Sequence, residues 1–245
     1  MEMQTDISIV IPMRNESSYI GETLTSFRTA LDKCGFATEI VVVDGASTDD
    51  SLAHCSLADK IIVESEDERC GIARARNIGA NSSTGALLFH SDADVRIPYD
   101  RDFFDQLVKI FGDPEVVAAT GRIVPYPWSA RKVDKLWHAV GNRVIQRSHK
   151  AGVYLGRGEF QVIRSDAFAS VGGYDEQITV GEDWDLFRRI SKTGSIRYSP
   201  DLFVYHSPRR FETCGYGPII LSYLRELVSL VVFKRSYLKE WKAIR

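Results

Sequence analysis

The first half of the chain alternates short runs of β-branched residues with segments whose apolar residues recur at helical spacing. Strands are predicted at 7–11, 40–43, 61–63 and 86–89. Helices are predicted from Ser17 to about Lys33, after a Ser47–Thr48–Asp49 cap, and over 71–81. Strands that alternate with helices form mainly parallel sheets covered by helices on both faces. The pattern therefore predicts an α/β fold with a mainly parallel central sheet.

The second half has a more mixed pattern. It predicts a strand at 116–124, a turn at 125–128, a helix at 130–147, a strand at 159–163, a helix at 183–192, and one or two short strands around Pro200. No stretch rich in Pro, Gly or Ser separates two domains. We therefore expect one domain over residues 1–215, with a first half at about 6–95 and a second at about 96–215. Residues 216–245 form a separate C-terminal segment.

Composition narrows the class of protein. The 245 residues are 44% hydrophobic and 26% charged, with a formal net charge of −2. These values are typical of soluble globular proteins and do not fit a disordered chain. The near-neutral balance argues against a nucleic-acid partner. The four cysteines form no C-x-x-C pair, and the N-terminal stretch lacks the pattern of a secretory signal, so reduced thiols and a cytoplasmic location are expected.

Carboxylates follow several of the predicted strands. Asp92 and Asp94 come after the apolar run 86–89, and Asp44 ends the run 40–43. Ligands of such sheets bind beyond the carboxyl ends of the strands. The aspartates at 92 and 94 would suit a divalent cation, or they could form a solvated turn. Asp44 could accept hydrogen bonds from a nucleotide base, or it could cap the backbone that follows it.

Other candidate residues lie on helices and near the last strand. Arg76 would suit a phosphate or ribose site, or it could belong to a solvated basic face. Glu182 and Asp183 open a helix, where an anion is favoured, and could supply a general base or only cap the helix. Trp184 could be a pocket wall or a core anchor. His206 could be a metal ligand or a structural residue, and two arginines, Arg209 and Arg210, could neutralise a leaving diphosphate.

Six segments in this order resemble the family 2 nucleotide-sugar glycosyltransferases with the GT-A fold. They are the turn PMRNE, the motif VVVDGASTDD, the helix GIARARNIG, the Asp-x-Asp segment HSDADV, the segment GRGEFQVIRSDAFASVGGYDE and the helix GEDWDLFRR. The resemblance covers roughly residues 6–211. Two departures concern the donor base: Gly45 stands where the family often has Asp, and Ala46 where it usually has Gly.

The resemblance implies an enzyme that transfers a sugar from a nucleotide-diphospho-sugar, with a UDP-sugar the first candidate, and inverts the anomeric carbon. Nucleotide contacts would come from Pro12, Arg14, Glu16, Asp44, Arg76 and Asp92. Asp94 and His206 would hold Mg²⁺ or Mn²⁺. Asp183 would be the general base, with Glu182 beside it. Acceptor or diphosphate contacts would come from Arg157, Glu159, Trp184, Arg209 and Arg210. The acceptor would be a hydroxyl of a glycan, a lipid carrier or a small molecule.

The position of the C-terminal segment has several alternatives. The apolar run 218–233 is shorter than the roughly 20 residues that span a bilayer, and basic and aromatic residues follow it. An amphipathic helix there could lie on the inner face of a membrane, pack on its own domain, or form a homodimer interface.

The rival functions are an inactive nucleotide-sugar-binding scaffold and a sugar nucleotidyltransferase. The second is disfavoured because MRNESS is not a glycine-rich phosphate loop.

Overall fold

A computed structural model describes residues 6–65, 71–98, 102–128, 130–222 and 225. The described residues of the first half form four strands and two α-helices: β1 (Ile7–Met13), α1 (Ile20–Leu31), β2 (Thr38–Asp44), β3 (Lys60–Val63), α2 (Gly71–Asn81) and β4 (Leu87–His90). A short 3₁₀ helix, Asp50–His54, separates β2 from β3, and Asp49 caps it as predicted. All seven residues of β1 are buried. Most residues of the strand are apolar on both faces of the sheet, because helices cover both faces.

The second half supplies the remaining elements. They are β5 (Val95–Arg96), α3 (Phe103–Ile110), β6 (Val116–Pro125), α4 (Lys132–Lys150), β7 (Gln161–Arg164), α5 (Ser165–Ser170), α6 (Glu182–Ile190), β8 (Ser195–His206) and α7 (Arg209–Cys214). Backbone continues as helix over 216–222, and the rest of the predicted segment 216–245 lies outside the described residues, apart from residue 225. Among the described residues, we find no helix that combines the length and apolarity needed to cross a bilayer.

Within the part of the chain that the structure describes, eight strands form one sheet in the order β3-β2-β1-β4-β7-β6-β8-β5. The pairs β1/β2, β1/β4, β2/β3 and β6/β8 are parallel, whereas β4/β7, β6/β7 and β5/β8 are antiparallel. The carboxyl ends of β1, β2 and β4 therefore meet at one edge of the sheet. This edge carries the polar loops that follow each strand. Because more of the strand pairs are parallel than antiparallel, the prediction of an α/β fold with a mainly parallel sheet is confirmed.

Neighbouring residues along the strands point into two different cores. Phe89 packs in the cluster that α1 and α3 cover, which includes Phe27 and Phe103. Leu88 packs in the opposite cluster with Phe168 and residues of α2 and α6. Alternation of side chains across a strand produces this division. A burial pattern of this kind fixes the register of the central strands, because a slip of one residue would exchange the two faces.

Several predicted boundaries differ from the structure. Helix α1 begins at residue 20, without a side-chain cap, rather than at Ser17, because the Ser17 N–H donates to the Asp49 carboxylate. Strand β8 is one long strand, where the sequence left one or two short strands open, and its register against β6 shifts between Ser199 and Phe203, around Pro200. Proline has no N–H to donate to a sheet, which explains the irregular pairing. Helix α3 and strand β5 were not predicted.

Candidate active site

The loops after β1 and β2 are bonded to each other. The Asn15 N–H donates to Ser47 Oγ at 2.8 Å, and the Thr48 N–H donates to Asn15 Oδ1 at 2.7 Å. Asn15 and Ala46 both have positive φ, 55° and 56°. Glycine adopts this conformation at less cost than alanine, which gives a physical reason for the family's usual glycine at position 46. The two loops form one rigid rim beside the strand ends.

Asp44 serves its own loop in this structure. Its side chain is fully buried, and its carboxylate accepts hydrogen bonds from the Ser47 N–H, at 3.0 Å, and from the Ser47 hydroxyl. This is the capping arrangement that the sequence left open as an alternative. Pro12 is buried within β1, and Arg14 is half-buried beside Gly45. Contact of these residues with a nucleotide stays a prediction.

Arg76 joins the Asp-x-Asp loop to the start of α6. Its guanidinium is 1% exposed, with Nη2 donating to Asp92 Oδ1 and Nη1 donating to Glu182 Oε1, both at 2.7 Å. The Arg76 cation also lies 5.5 Å from the centre of the Tyr174 ring. The alternative of a solvated basic face is therefore wrong for Arg76. In this geometry the residue holds two acidic groups that are distant in sequence.

Arg209 makes a second bridge of the same kind. Its Nη2 donates to Glu16 Oε1 at 2.7 Å, and its Nε lies 3.0 Å from Asp94 Oδ2. The ring centre of Tyr19 is 4.4 Å from the guanidinium carbon. Burial raises the pKa of the Glu16 carboxyl, although the hydrogen bond from Arg209 opposes the shift. Each aspartate of the Asp-x-Asp segment is thus ion-paired with a different arginine.

Asp94 and His206 meet the requirements of a pair of metal ligands only in part. His206 Nε2 lies 3.6 Å from Asp94 Oδ1, beyond ordinary hydrogen-bond distance. Two atoms that share one Mg²⁺ or Mn²⁺ at bond lengths near 2.1 Å lie about 3.0–3.6 Å apart. Within the described ranges, no three His, Cys, Asp or Glu side chains form a metal-binding group. The pair fits a cation whose other ligands come from a bound phosphate and water.

Asp183 stands at the first turn of α6 and faces the loop before β7. Its Oδ2 accepts the Gly158 N–H at 3.0 Å, and its Oδ1 accepts the Trp184 N–H at 2.8 Å. Burial, and then the charge of Glu182, raise the pKa of Asp183 well above its usual range. Burial likewise raises the pKa of Glu182, opposed by Arg76. A carboxylate in this position is a stronger proton acceptor, once ionised, than one in water.

The acceptor-side candidates are spread along one wall. Arg157 Nη2 donates to Asn142 Oδ1 on α4 at 2.7 Å. Burial raises the pKa of Glu159, but the neighbouring His206 and Arg157 outweigh it, so the net shift is downward. Trp184 and Arg210 are half-buried on α6 and α7. The structure brings His206, Arg157 and Glu159 close enough to interact electrostatically, and the acceptor roles of all these residues stay predictions.

Sequence reasoning missed several residues that build the site. A Cβ atom on Gly158 would lie 2.1 Å from Arg76 Nη2, so glycine is required for the close approach. The Tyr126 hydroxyl donates to the Asp94 carbonyl oxygen at 2.6 Å. Buried Gln161 accepts the Tyr174 hydroxyl at 2.6 Å. The Gly156-x-Gly158 spacing was the available signal for the first contact, whereas the aromatic contacts had none.

Comparison with known proteins agrees with this geometry. The glycosyl transferase family 2 domain matches residues 8–172. The pre-mycofactocin glycosyltransferase of Mycobacterium tuberculosis is 30% identical over 218 residues, which are 83% of this chain and 43% of that protein. The chain therefore spans less than half the length of this relative.

Two solved structures share the fold. The mannosyltransferase PcManGT of Pyrobaculum calidifontis, in complex with GDP-Man and Mn²⁺, superposes with a TM-score of 0.64 at 23% identity, covering 84% of this chain and 58% of that one. S. aureus TarS 1-349, in complex with UDP, gives a TM-score of 0.63 at 16% identity, covering 96% and 67%. The sheet, the order of the six motifs and the domain match lead to one assignment: the chain belongs to glycosyl transferase family 2 and has the GT-A fold.

Proposed function

We propose that this chain is an inverting, metal-dependent glycosyltransferase that moves a sugar from a nucleotide-diphospho-sugar to an acceptor hydroxyl. One observation carries the proposal. Arg76 pairs with both Asp92 and Glu182 at 2.7 Å, which holds the Asp-x-Asp loop against the start of α6. The pairing supports a shared site in which donor-binding and proton-accepting groups face the same substrate.

The proposed chemistry assigns the proton transfer to Asp183. The ionised carboxylate accepts the proton of the acceptor hydroxyl while the hydroxyl oxygen forms a bond to the anomeric carbon. The bond between that carbon and the diphosphate oxygen breaks, and the electron pair leaves with the nucleoside diphosphate. Attack from the face opposite the leaving group inverts the anomeric centre. The Gly158 N–H, 3.0 Å from Asp183 Oδ2, orients the base.

The proposed donor is a nucleotide-diphospho-sugar held with Mg²⁺ or Mn²⁺ at Asp94 and His206. When bound, the cation would neutralise negative charge on the diphosphate. Arg209, which lies beside Asp94, would add positive charge at the same place. One fold neighbour binds GDP-Man with Mn²⁺ and another binds UDP. A UDP-sugar is our first candidate, and GDP-sugars are the direct alternative for testing.

The acceptor and the setting of the enzyme are part of the same proposal. We place the donor half at about 6–95 and the acceptor half at about 96–215, with Arg157, Glu159 and Trp184 on the acceptor wall. A lipid-linked acceptor is favoured by one relative, the undecaprenyl-phosphate 4-deoxy-4-formamido-L-arabinose transferase of Shewanella sediminis, which is 31% identical over 226 residues, or 86% of this chain and 62% of that protein. Residues 216–245 would then touch the inner face of a membrane, or join two copies of the chain.

Asp183→Asn tests the proposed base. We expect a loss of transfer by a factor of about 10²–10⁴, because the amide cannot take the proton, with donor affinity unchanged. Asp185→Asn is the matched control, since Asp185 lies on the same helix but pairs with Arg189 at 2.6 Å. Transfer at the wild-type rate by Asp183→Asn would contradict the assignment. Nucleotide binding without transfer to any acceptor by the wild-type chain would favour a scaffold, and pyrophosphate release would favour a nucleotidyltransferase.

A further inference from the structure

Helix α4 exposes four aliphatic residues and buries four polar ones. The buried residues are Asp134, His138, Asn142, Ile145 and His149. The outward side chains are aliphatic at four positions: Val133 (44% exposed), Leu136 (63%), Val140 (45%) and Val144 (54%). A surface helix normally turns its apolar stripe toward the core. Residues 133–144 extend over about 16 Å of helix, so the exposed stripe is three turns long.

Specific hydrogen bonds fix this orientation of α4. The Asn142 side chain donates to the Ile123 carbonyl at 2.9 Å and accepts the Ile123 N–H at 3.0 Å. The Asp134 carboxylate caps the helix by accepting the Arg131 N–H at 2.7 Å, and it also accepts the Tyr216 hydroxyl. Rotation of the helix would bury the aliphatic stripe only by breaking these bonds. The hydrogen bonds of the inner face therefore keep the four aliphatic side chains exposed.

Positive charge lies along one side of the stripe. Five exposed basic residues lie on the helix: Lys132, Lys135, Arg143, Arg147 and Lys150. The acidic residue of α4, Asp134, lies on the buried face. The outward face therefore has no acidic residue, although the whole chain has a net charge of −2. An apolar stripe beside basic residues is the pattern of helices that lie in the interface of anionic membranes.

We propose that this outward face of α4, defined by residues 133, 136, 140 and 144 and the five basic residues, docks on an anionic lipid surface. The charge distribution disfavours the other occupants. A second copy placed on the same face by two-fold symmetry would bring like charges together. The segment 226–245 carries five Lys and Arg residues and two Glu residues, so it also has the wrong sign. An anionic bilayer satisfies both the aliphatic and the cationic groups.

The docking surface lies behind the proposed acceptor wall. Asn142, on the inner face of α4, accepts a hydrogen bond from Arg157 at 2.7 Å. Membrane contact through α4 would thus hold the acceptor side of the site close to lipid, where a lipid-linked hydroxyl would be found. This consequence rests on the proposed function. The docking itself does not, and it can be measured without donor or acceptor.

Vesicle binding by the full chain tests the proposal. Co-sedimentation is measured with phosphatidylcholine vesicles that contain or lack phosphatidylglycerol. We expect binding to the anionic vesicles that falls about 30-fold in Arg143→Gln/Arg147→Gln, since each surface cation contributes about fivefold. Leu136→Gln/Val140→Gln should weaken it by at least about tenfold. Glutamine is a good helix former, so circular dichroism and the urea midpoint should match wild type.

Matched controls place the same substitutions elsewhere. Ile61→Gln/Val63→Gln changes two side chains of β3 that are 44% and 56% exposed. Lys109→Gln/Lys192→Gln removes two other exposed cations. Both controls should bind anionic vesicles as wild type does. If they lose binding to the same degree as the α4 variants, net charge and general hydrophobicity explain the effect and the proposal is wrong.

Three further outcomes would overturn the proposal. The first is equal vesicle binding by wild type and both α4 variants. The second is loss of vesicle binding when the residues after 217 are deleted, together with full binding by both α4 variants. Binding would then depend only on the deleted segment. The third is a concentration-dependent dimer, seen by sedimentation velocity without lipid, that the α4 variants lose. The last result would assign the face to a second copy of the chain.

Discussion

Replacement of Arg76 by methionine should destabilise the folded protein more than any neighbouring charge substitution. Methionine replaces the aliphatic part of the arginine side chain and removes the charge that faces Asp92 and Glu182. The side chains of these acids are 28% and 10% exposed. Water reaches part of Asp92, but Glu182 cannot be fully hydrated without opening the contact between α2, the Asp-x-Asp loop and α6. The variant therefore leaves two largely buried carboxylates without their counter-charge.

The size of the effect follows from the geometry. With charge centres about 4 Å apart and an effective dielectric constant near 20, each pair contributes about 4 kcal/mol of attraction. Removing the guanidinium also removes its own desolvation cost, and Asp92 is partly screened by water. Loss of one partner from a buried pair typically costs about 3–5 kcal/mol. We expect this loss in the free energy of unfolding of Arg76→Met at pH 7.

Urea unfolding followed by circular dichroism measures the change. Arg74→Met is the matched control, because Arg74 is on the same helix, its side chain is 35% exposed, and its Nε lies 3.6 Å from Glu64 Oε1. Because Arg74 is partly exposed and its pair with buried Glu64 is longer than the two pairs of Arg76, its loss should cost less, about 1 kcal/mol. A loss below about 1 kcal/mol in Arg76→Met, equal to that of the control, would refute the reasoning.

The pH dependence gives a second check on the same variant. Burial already raises the pKa of both Asp92 and Glu182. A carboxyl whose folded-state pKa is raised contributes stability below its unfolded pKa and loses it as the pH rises through the folded value. Without Arg76 both pKa values should rise further. The difference in unfolding free energy between Arg76→Met and wild type should therefore shrink as the pH is lowered from 7 toward 4.

Three further predictions concern the site. Gly158→Ala should lower both the stability and the rate of transfer, because its Cβ would stand 2.1 Å from Arg76 Nη2. Unfolding midpoints and initial rates measure the two effects. Unchanged values of both would show that the loop moves to accommodate the methyl group. Asp94→Ala should weaken donor binding by at least about tenfold in Mn²⁺ but not in EDTA, which calorimetry measures. Equal losses in both buffers would argue against Asp94 as a metal ligand. The rate of transfer should rise with pH and then level off, because the raised pKa of the Glu182–Asp183 pair leaves Asp183 protonated at low pH; a flat profile would contradict the base assignment.

Much of the fold was predictable because its strongest signals are local. The β-branched run of β1 and the carboxylates after β2 and β4 placed an acidic edge on a parallel sheet, and the structure has that edge. Boundaries were less predictable. The start of α1 depends on Asp49, which is 32 residues from Ser17 along the chain. No local pattern reports a bond of that kind.

The same distinction explains what was missed in the site. Asp92 and Glu182 were both singled out, but their common partner was interpreted as a nucleotide contact or a solvated residue. The pairing of Arg76 with Glu182 spans 106 residues of sequence and depends on how α2 and α6 pack. The inverted burial of α4 was hidden for a related reason. Its apolar and polar residues keep helical spacing whichever face is buried, so only the hydrogen bonds of Asn142 reveal the orientation.

Thermal unfolding in the presence of nucleotide-sugars tests the central claim most directly. The full chain is heated with UDP-, GDP-, dTDP- and CMP-sugars, each with Mn²⁺ and with EDTA. A ligand that binds only the folded state raises the midpoint by mass action. The proposed function predicts a metal-dependent rise with one class of nucleotide, absent in Asp94→Ala. No rise with any of the four donors, in either buffer, would contradict it.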